Sequence, residues 1–170
     1  MQDKFSEYLN DKSQFTRQKA LTANSYKNVD HSLDASDTNC ELGTYGDALL
    51  KCAFCKILFD KDVSNITEEK KKYESDKVLV EIIARHYELL KYIHFDESDN
   101  NIPRDYDYRK SSKKGKDSPS KYIATAVEAL IAAIYLDNKE DFSLVVKIAE
   151  HWKTLIDDSH VEIILCLCKQ

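Results

Sequence analysis

Glycine and proline are scarce in this 170-residue chain, which contains three glycines and two prolines. Strand-rich folds need turn residues about every 8–12 positions, so this scarcity argues against them and favours long helices. A chain of this length, with 42% hydrophobic and 32% charged residues, can bury a core without disulfides or a structural metal. The sequence therefore predicts an all-α fold.

Signals for export and for membrane insertion are also missing. The opening residues MQDKFSEYLNDK contain no apolar signal-peptide segment, and the longest apolar run is far shorter than the roughly 20 residues that a membrane span requires. The five cysteines are an odd number, which favours reduced thiols over a disulfide framework. Together these features predict a soluble cytoplasmic protein.

Positive charge is low overall and concentrated in one segment. The formal net charge of −5 is unlike that of a general nucleic-acid binder, which more often has a basic surface. Arg104–Lys121 reverses this balance, with seven Lys or Arg residues against three Asp. Such a run is either a solvated loop or a loop that contacts phosphates. Its candidate phosphate-contacting residues are Arg104, Arg109, Lys110, Lys113, Lys114 and Lys116.

Apolar residues recur with helical spacing along most of the chain. The pattern predicts helices over about Cys40 to Phe59, Val78–Ile93, Pro119–Leu136 and Lys139–Ile156. Tyr122–Leu136 is apolar on every side, which is typical of a helix surrounded by other elements. We therefore expect this segment at the centre of the fold.

Two acidic residues stand alone inside apolar stretches, Asp47 within Leu42–Phe59 and Glu128 within Tyr122–Leu136. Burying an ionised carboxylate without a partner is costly, so chains usually keep such an acid only where a cation, a metal or a strong donor meets it. Carboxylates on facing helices hold divalent metals in all-α folds, and Mg²⁺ prefers hard oxygen ligands. We therefore expect Asp47 and Glu128 to be buried acids of a metal site.

Three segments resemble motifs of the ribonuclease III family. QKALTANSY at 18–26 resembles its QALTHRSY segment, LGTYGDAL at 42–49 its ERLEFLGDAVL motif, and IATAVEALI at 123–131 its ADxxEALIGA motif. The segments occur in the family's order. The resemblance predicts one ribonuclease III-like domain over residues 1–170, with a core of about 13–158 and without a double-stranded RNA-binding domain.

The resemblance implies an all-helical nuclease domain that dimerises and cuts double-stranded RNA with Mg²⁺ or Mn²⁺. Asp47 matches the Asp of the first acidic motif and Glu128 the Glu of the second, so the resemblance implies that both are catalytic and hold the metal. The family's metal site normally uses four carboxylates. Its other acidic positions fall on Cys40, Gly43 and Thr125 in this chain.

These substitutions resemble a smaller bacterial branch, the mini-ribonuclease III proteins. The motifs of that branch read like LAYIGDA and STAFEALIG, with Thr at the position of Thr125, and its members also lack a double-stranded RNA-binding domain. The branch carries an Asp eleven positions before the Glu, where this chain has Asp117. The resemblance therefore implies Asp117 as a further metal ligand.

The resemblance also implies a homodimer. A Phe that packs into the partner subunit stands three residues before the Asp in the family, and this position is Thr44 here. Tyr45, the next residue, is the aromatic side chain available for the same contact.

Two functional interpretations remain open. In the first, the chain is a Mg²⁺-dependent endoribonuclease that hydrolyses phosphodiester bonds of double-stranded RNA, with the basic run gripping phosphates of an A-form duplex. In the second, it is a catalytically inactive ribonuclease III fold that serves as a dimerising or RNA-binding scaffold in a ribonucleoprotein. The missing acids fit the second interpretation, whereas the retention of Asp47 and Glu128 in apolar surroundings favours the first.

Overall fold

The computed structural model describes residues 3–100, 107–108 and 119–167. These residues form helices and connecting turns without a β-strand, which confirms the all-α prediction. An isolated parallel bridge joins Thr22 to His94. None of the helices in these ranges has the length and apolar character needed to cross a membrane.

The described helices are named in the order in which they occur along the chain. The α-helices are α1 (Lys4–Asn10), α2 (Phe15–Ala20), α3 (Cys40–Asp60), α4 (Ile66–Glu74), α5 (Asp76–Val78), α6 (Glu97–Asn100), α7 (Pro119–Asp137) and α8 (Phe142–Leu167). Short 3₁₀ segments cover Asn24–Asn28, Ala35–Asp37 and Leu89–Lys91, and Leu79–Ala84 is π-helical.

Helix α7 lies at the centre of the core, as its apolar sequence predicts. From Ile123 to Ile134 its residues are buried, with the exception of the half-buried Thr125. The helix packs most extensively against α3 and also contacts α2, α5, α8 and the π-helical segment. Both α3 and α7 begin at the predicted residue and end one residue beyond the predicted end.

Two glycines of α3 allow it to approach α7 closely. A Cβ atom at Gly46 would lie 1.7 Å from the carbonyl oxygen of Glu128, and one at Gly43 would lie 2.6 Å from Cγ2 of Thr125. The first distance leaves no room for any side chain, because the atom it meets belongs to the backbone. The crossing therefore sets Asp47, the residue after Gly46, against the part of α7 that carries Glu128.

The segment that resembles the family's QALTHRSY motif positions the start of α3. Asn39, the residue before α3, donates its backbone N–H to the carbonyl of Thr22 at 2.8 Å and its side-chain amide to the carbonyl of Ala20 at 3.3 Å. The N–H of His94 donates to the carbonyl of Leu21 at 2.8 Å. These bonds join three distant parts of the chain at the end of α3 that leads to the site.

The prediction of one continuous helix over Val78–Ile93 is wrong. The segment instead runs through the π-helical turns of Leu79–Ala84 to a left-handed residue, Glu88, with φ of 50°. A right-handed helix cannot continue through a residue in that conformation, so the segment ends in the separate 3₁₀ turn of Leu89–Lys91.

Both predicted bounds of the last helix, Lys139–Ile156, are also wrong, because α8 spans Phe142–Leu167. Lys139 and Glu140 have φ of 57° and 60°, so they form a left-handed connection after α7. The side chain of Asp141 accepts a 2.9 Å hydrogen bond from the N–H of Ser143 and caps the helix that begins at Phe142.

Candidate functional site

A cavity of about 500 Å³ contains both of the acids that the sequence singles out. It opens between α3, α4, α5 and α7, and these helices contribute charged side chains of both signs to its walls. The charged side chains that line it include Asp47 and Lys51 from α3, Glu74 from α4, Asp76 from α5, and Lys121 and Glu128 from α7.

Glu128 is the buried acid of the cavity, and its predicted burial is confirmed. Only 5% of the residue is exposed. Burial raises the pKa of its carboxyl group to about 7, and the negative charges of Asp47 and Asp76 push the pKa in the same direction, whereas Lys121 and Lys51 oppose them. Within the described part of the chain, no donor forms a hydrogen bond or ion pair with this carboxyl group.

Asp47 lies at the edge of the same cavity, and the prediction that it is buried is wrong. Its side chain is 34% exposed, and its Oδ2 atom lies 2.6 Å from Nζ of Lys51. The two residues are one helical turn apart on α3, a spacing that allows an ion pair. The hydrogen bond to Asp47 raises the pKa of Lys51, so this lysine is a firmly charged partner.

The positions of the absent family acids also face the cavity. Cys40, Gly43 and Thr125 all line it, and the first two therefore share a face of α3 with Asp47. Gly43 and Thr125 lie against each other where α3 crosses α7. Neither residue supplies a carboxylate to the cavity, so two of the family's acids have no counterpart at this crossing.

Two further carboxylates reach the cavity, and sequence reasoning missed both as site residues. Glu74 lies 2.6 Å from Nζ of Lys70, and Asp76 lies 3.4 Å from Nζ of Lys121. The partner of Asp76, Lys121, also lines the cavity. Its place beside Glu128 could be predicted from the sequence, because the two residues are seven apart on one helix and so share a face. No local pattern links Asp76 to α7, because only the tertiary fold brings them together.

The remaining predicted site residues lie outside the described residues. They are Asp117 and the basic residues Arg104, Arg109, Lys110, Lys113, Lys114 and Lys116. Their roles stay predictions.

The donor chemistry of the cavity fits a hard divalent cation. Mg²⁺ takes carboxylate oxygens and keeps several waters, and Glu128 and Asp47 both offer such oxygens to the cavity. These acids do not form a closed ligand cluster. Among the described residues, three ligating side chains have their ligand atoms within 4.8 Å of one another at Asp3, His86 and His151, none of which lines this cavity.

A family model of the ribonuclease III domain matches residues 41–139. The chain belongs to the ribonuclease III family. The match includes Asp47, Asp76 and Glu128, and it reaches from the first turn of α3 to just beyond the end of α7. Ribonuclease III proteins form a family of double-stranded RNA endoribonucleases that typically dimerise and generally use divalent metal ions.

Proposed function

We propose that this ribonuclease III domain is a Mg²⁺-dependent endoribonuclease that hydrolyses phosphodiester bonds of double-stranded RNA in the cytoplasm. The observation that carries the proposal is the buried carboxyl group of Glu128, which has no donor within the described residues and shares its cavity with Asp47. An acid in that position lowers stability unless a cation binds it. Functional sites typically contain such groups, which lower the stability of the fold but are needed for activity.

Asp47 and Glu128 would hold the cation, with Asp117 as the further ligand that the resemblance implies. When bound, Mg²⁺ supplies an activated water and neutralises charge on the reacting phosphate. Lys51 and Lys121 place two ammonium groups in the same cavity, where they attract phosphate oxygens and offset the charge of the acids.

The duplex is held by its backbone in this proposal. Arg104–Lys121 carries the positive charge that a phosphate contact needs, and A-form RNA is recognised through shape and backbone and needs no base-reading motif. We propose a homodimer as the functional unit, because ribonuclease III proteins typically dimerise.

One set of contacts favours a second candidate, a catalytically inactive ribonuclease III fold used as a dimerising or RNA-binding scaffold. Lys51 already neutralises Asp47 at 2.6 Å, and Lys121 lies 3.4 Å from Asp76. Gly43 and Thr125 stand at two family acid positions and supply no carboxylate. In a scaffold these lysines would be permanent counter-charges and no metal would enter.

The deciding experiment is incubation of the purified chain with a long perfect RNA duplex and Mg²⁺. Asp47→Asn and Glu128→Gln remove one charge each with little change in shape. Asp60→Asn is the matched control, because Asp60 is an exposed acid of α3 that pairs with Lys56 away from the cavity. We expect the parental chain and the control to cut the duplex but not the single strands, and both site variants to lose more than about a hundredfold in rate.

Intact RNA with the folded parental chain would contradict the enzyme proposal and favour the scaffold. Cleavage at the parental rate by either site variant would contradict the assignment of that residue. An Asp117→Asn variant in the same series tests the ligand that the resemblance adds.

A further inference from the structure

The site is short of acids at the family positions, yet a third carboxylate reaches it from another direction. Asp76 stands in the short helix α5, which packs against α7, and its side chain lines the same cavity as Asp47 and Glu128. Ser75 caps this turn by accepting a 3.4 Å hydrogen bond from the N–H of Val78. The backbone that carries Asp76 is therefore held in place beside the site.

Glu128 supplies an independent reason to expect a cation at this point. It is more than nine-tenths buried and faces the cavity without a hydrogen-bond donor from the described residues. Lys51 and Lys121 lower its pKa only through their charge, and each of them is engaged with another acid. A buried carboxylate in this setting calls for a positively charged ligand.

Asp76 suits a ligand role better than Glu74, the other acid that the fold adds. Glu74 is 15% exposed and lies 2.6 Å from Lys70, so its charge is satisfied by a half-buried partner. Asp76 is 48% exposed, and its ion pair with Lys121 is longer, at 3.4 Å. Its negative charge also acts on Glu128, which places it within electrostatic reach of the buried acid.

We propose that Asp76 is a third carboxylate ligand of the divalent cation held by Asp47 and Glu128. Its side chain leaves Lys121 and turns toward the cation on binding, because the oxygens of the three acids do not all lie within 4.8 Å of one another in the structure. This inference rests on the proposed function, since it completes the same site. Asp76 replaces charge that the family places at Gly43 and Thr125, where this chain has a helix contact. A third acid thus reaches the site from α5, and the contact between α3 and α7 is unchanged.

The test measures binding of Mn²⁺ alone to the full chain, with free Mn²⁺ counted by electron paramagnetic resonance. Four variants are compared: Asp76→Asn, Lys121→Met, the double variant of both, and Asp60→Asn as a charge control far from the cavity. The double variant has the parental net charge at the site, so it separates ligation from simple electrostatics. Circular dichroism establishes that each variant is folded.

We expect Asp76→Asn to weaken Mn²⁺ binding by about tenfold or more, as the loss of a charged ligand does. Lys121→Met should bind more tightly than the parental chain because a competing cation is gone. The double variant should stay as weak as Asp76→Asn, and Asp60→Asn should bind as the parental chain does.

Parental affinity in Asp76→Asn would overturn the inference, and so would recovery of affinity in the double variant, which would reduce the role of Asp76 to charge alone. Loss of binding in Asp47→Asn and Glu128→Gln under those same conditions would leave the proposed function standing. Absence of saturable Mn²⁺ binding in the folded parental chain would overturn both.

Discussion

At the scale of one residue, burial of Glu128 lowers the free energy of unfolding. A glutamate in an unfolded chain titrates at about pH 4.3, whereas burial raises the pKa of Glu128 to about 7. Between these values the unfolded chain releases a proton that the folded chain keeps, so the free energy of unfolding falls as the pH rises. Above about pH 7 both states are ionised and the full cost is present.

Because ionised Glu128 lowers the free energy of unfolding, removing its charge should stabilise the fold at high pH. In EDTA, Glu128→Gln should raise the free energy of unfolding by about 3 kcal/mol at pH 8, and the gain should shrink toward zero near pH 4, because one pKa unit corresponds to about 1.4 kcal/mol. Urea unfolding at the two pH values measures it. Glu150→Gln, at an exposed position of α8, is the control and should show no such dependence. An equal gain at both pH values would mean that the charge of Glu128 is not what costs stability.

Some site residues could be predicted from the sequence and others could not, for physical reasons. Glu128 sits in a uniformly apolar helix, so its burial was predictable from its neighbours. Asp47 was predicted as buried and is 34% exposed, although the spacing to Lys51 already indicated a partner within the same helix. Asp76 had no signal in the sequence, because its relation to the site depends on how α5 packs against α7.

At the scale of the helices, the crossing of α3 and α7 depends on which atoms each glycine meets. A Cβ at position 46 would be 1.7 Å from a backbone oxygen, and one at position 43 would be 2.6 Å from a methyl group. Backbone in the middle of a buried helix cannot move without disturbing the core, whereas a half-buried threonine can change its rotamer. The two positions should therefore respond differently to the same substitution.

The second prediction compares Gly46→Ala with Gly43→Ala. Gly46→Ala should lower the free energy of unfolding by about 3 kcal/mol or more, through overpacking at the crossing. Gly43→Ala should stay within about 1 kcal/mol of the parental value, because the helix propensity of alanine offsets the displacement of Thr125. Urea unfolding of both variants decides it. Equal costs would contradict the argument that a backbone contact restrains Gly46 more tightly than a side-chain contact restrains Gly43.

Some helix boundaries could be predicted from the local sequence, and others could not. The long apolar patterns of α3 and α7 were enough to predict their starts and to come within one residue of their ends. The segment after Ser75 was predicted as one helix because its apolar spacing is helical, yet it widens into π-helical turns and stops at the left-handed Glu88. Left-handed residues other than glycine leave little trace in a sequence, as Lys139 and Glu140 also show.

At the scale of the whole molecule, an exposed aromatic residue lies beside the cavity that contains Asp47 and Glu128. Tyr45 is 42% exposed, and its ring meets that of Tyr135 edge to face at a centroid distance of 5.9 Å. Thr44, at the family position of the partner-contacting Phe, lines the cavity itself. Leu136, the residue after Tyr135, adds an apolar side chain that is 38% exposed. A second copy of the chain that covers Tyr45 would therefore bring two cavities close to one interface.

The third prediction concerns this contact. In the proposed homodimer, Tyr45→Arg should raise the monomer–dimer dissociation constant by at least roughly tenfold, because it removes an aromatic contact that the partner would cover and places a charge there. Sedimentation equilibrium measures the constant, with circular dichroism to show that the fold is retained. Phe59→Arg is the matched control, since Phe59 is an exposed aromatic residue at the other end of α3. Dissociation caused by Phe59→Arg but not by Tyr45→Arg would place the interface at the far end of α3, away from the cavity. In that arrangement the two cavities of a dimer would lie away from the interface, so one interface would not bring them together.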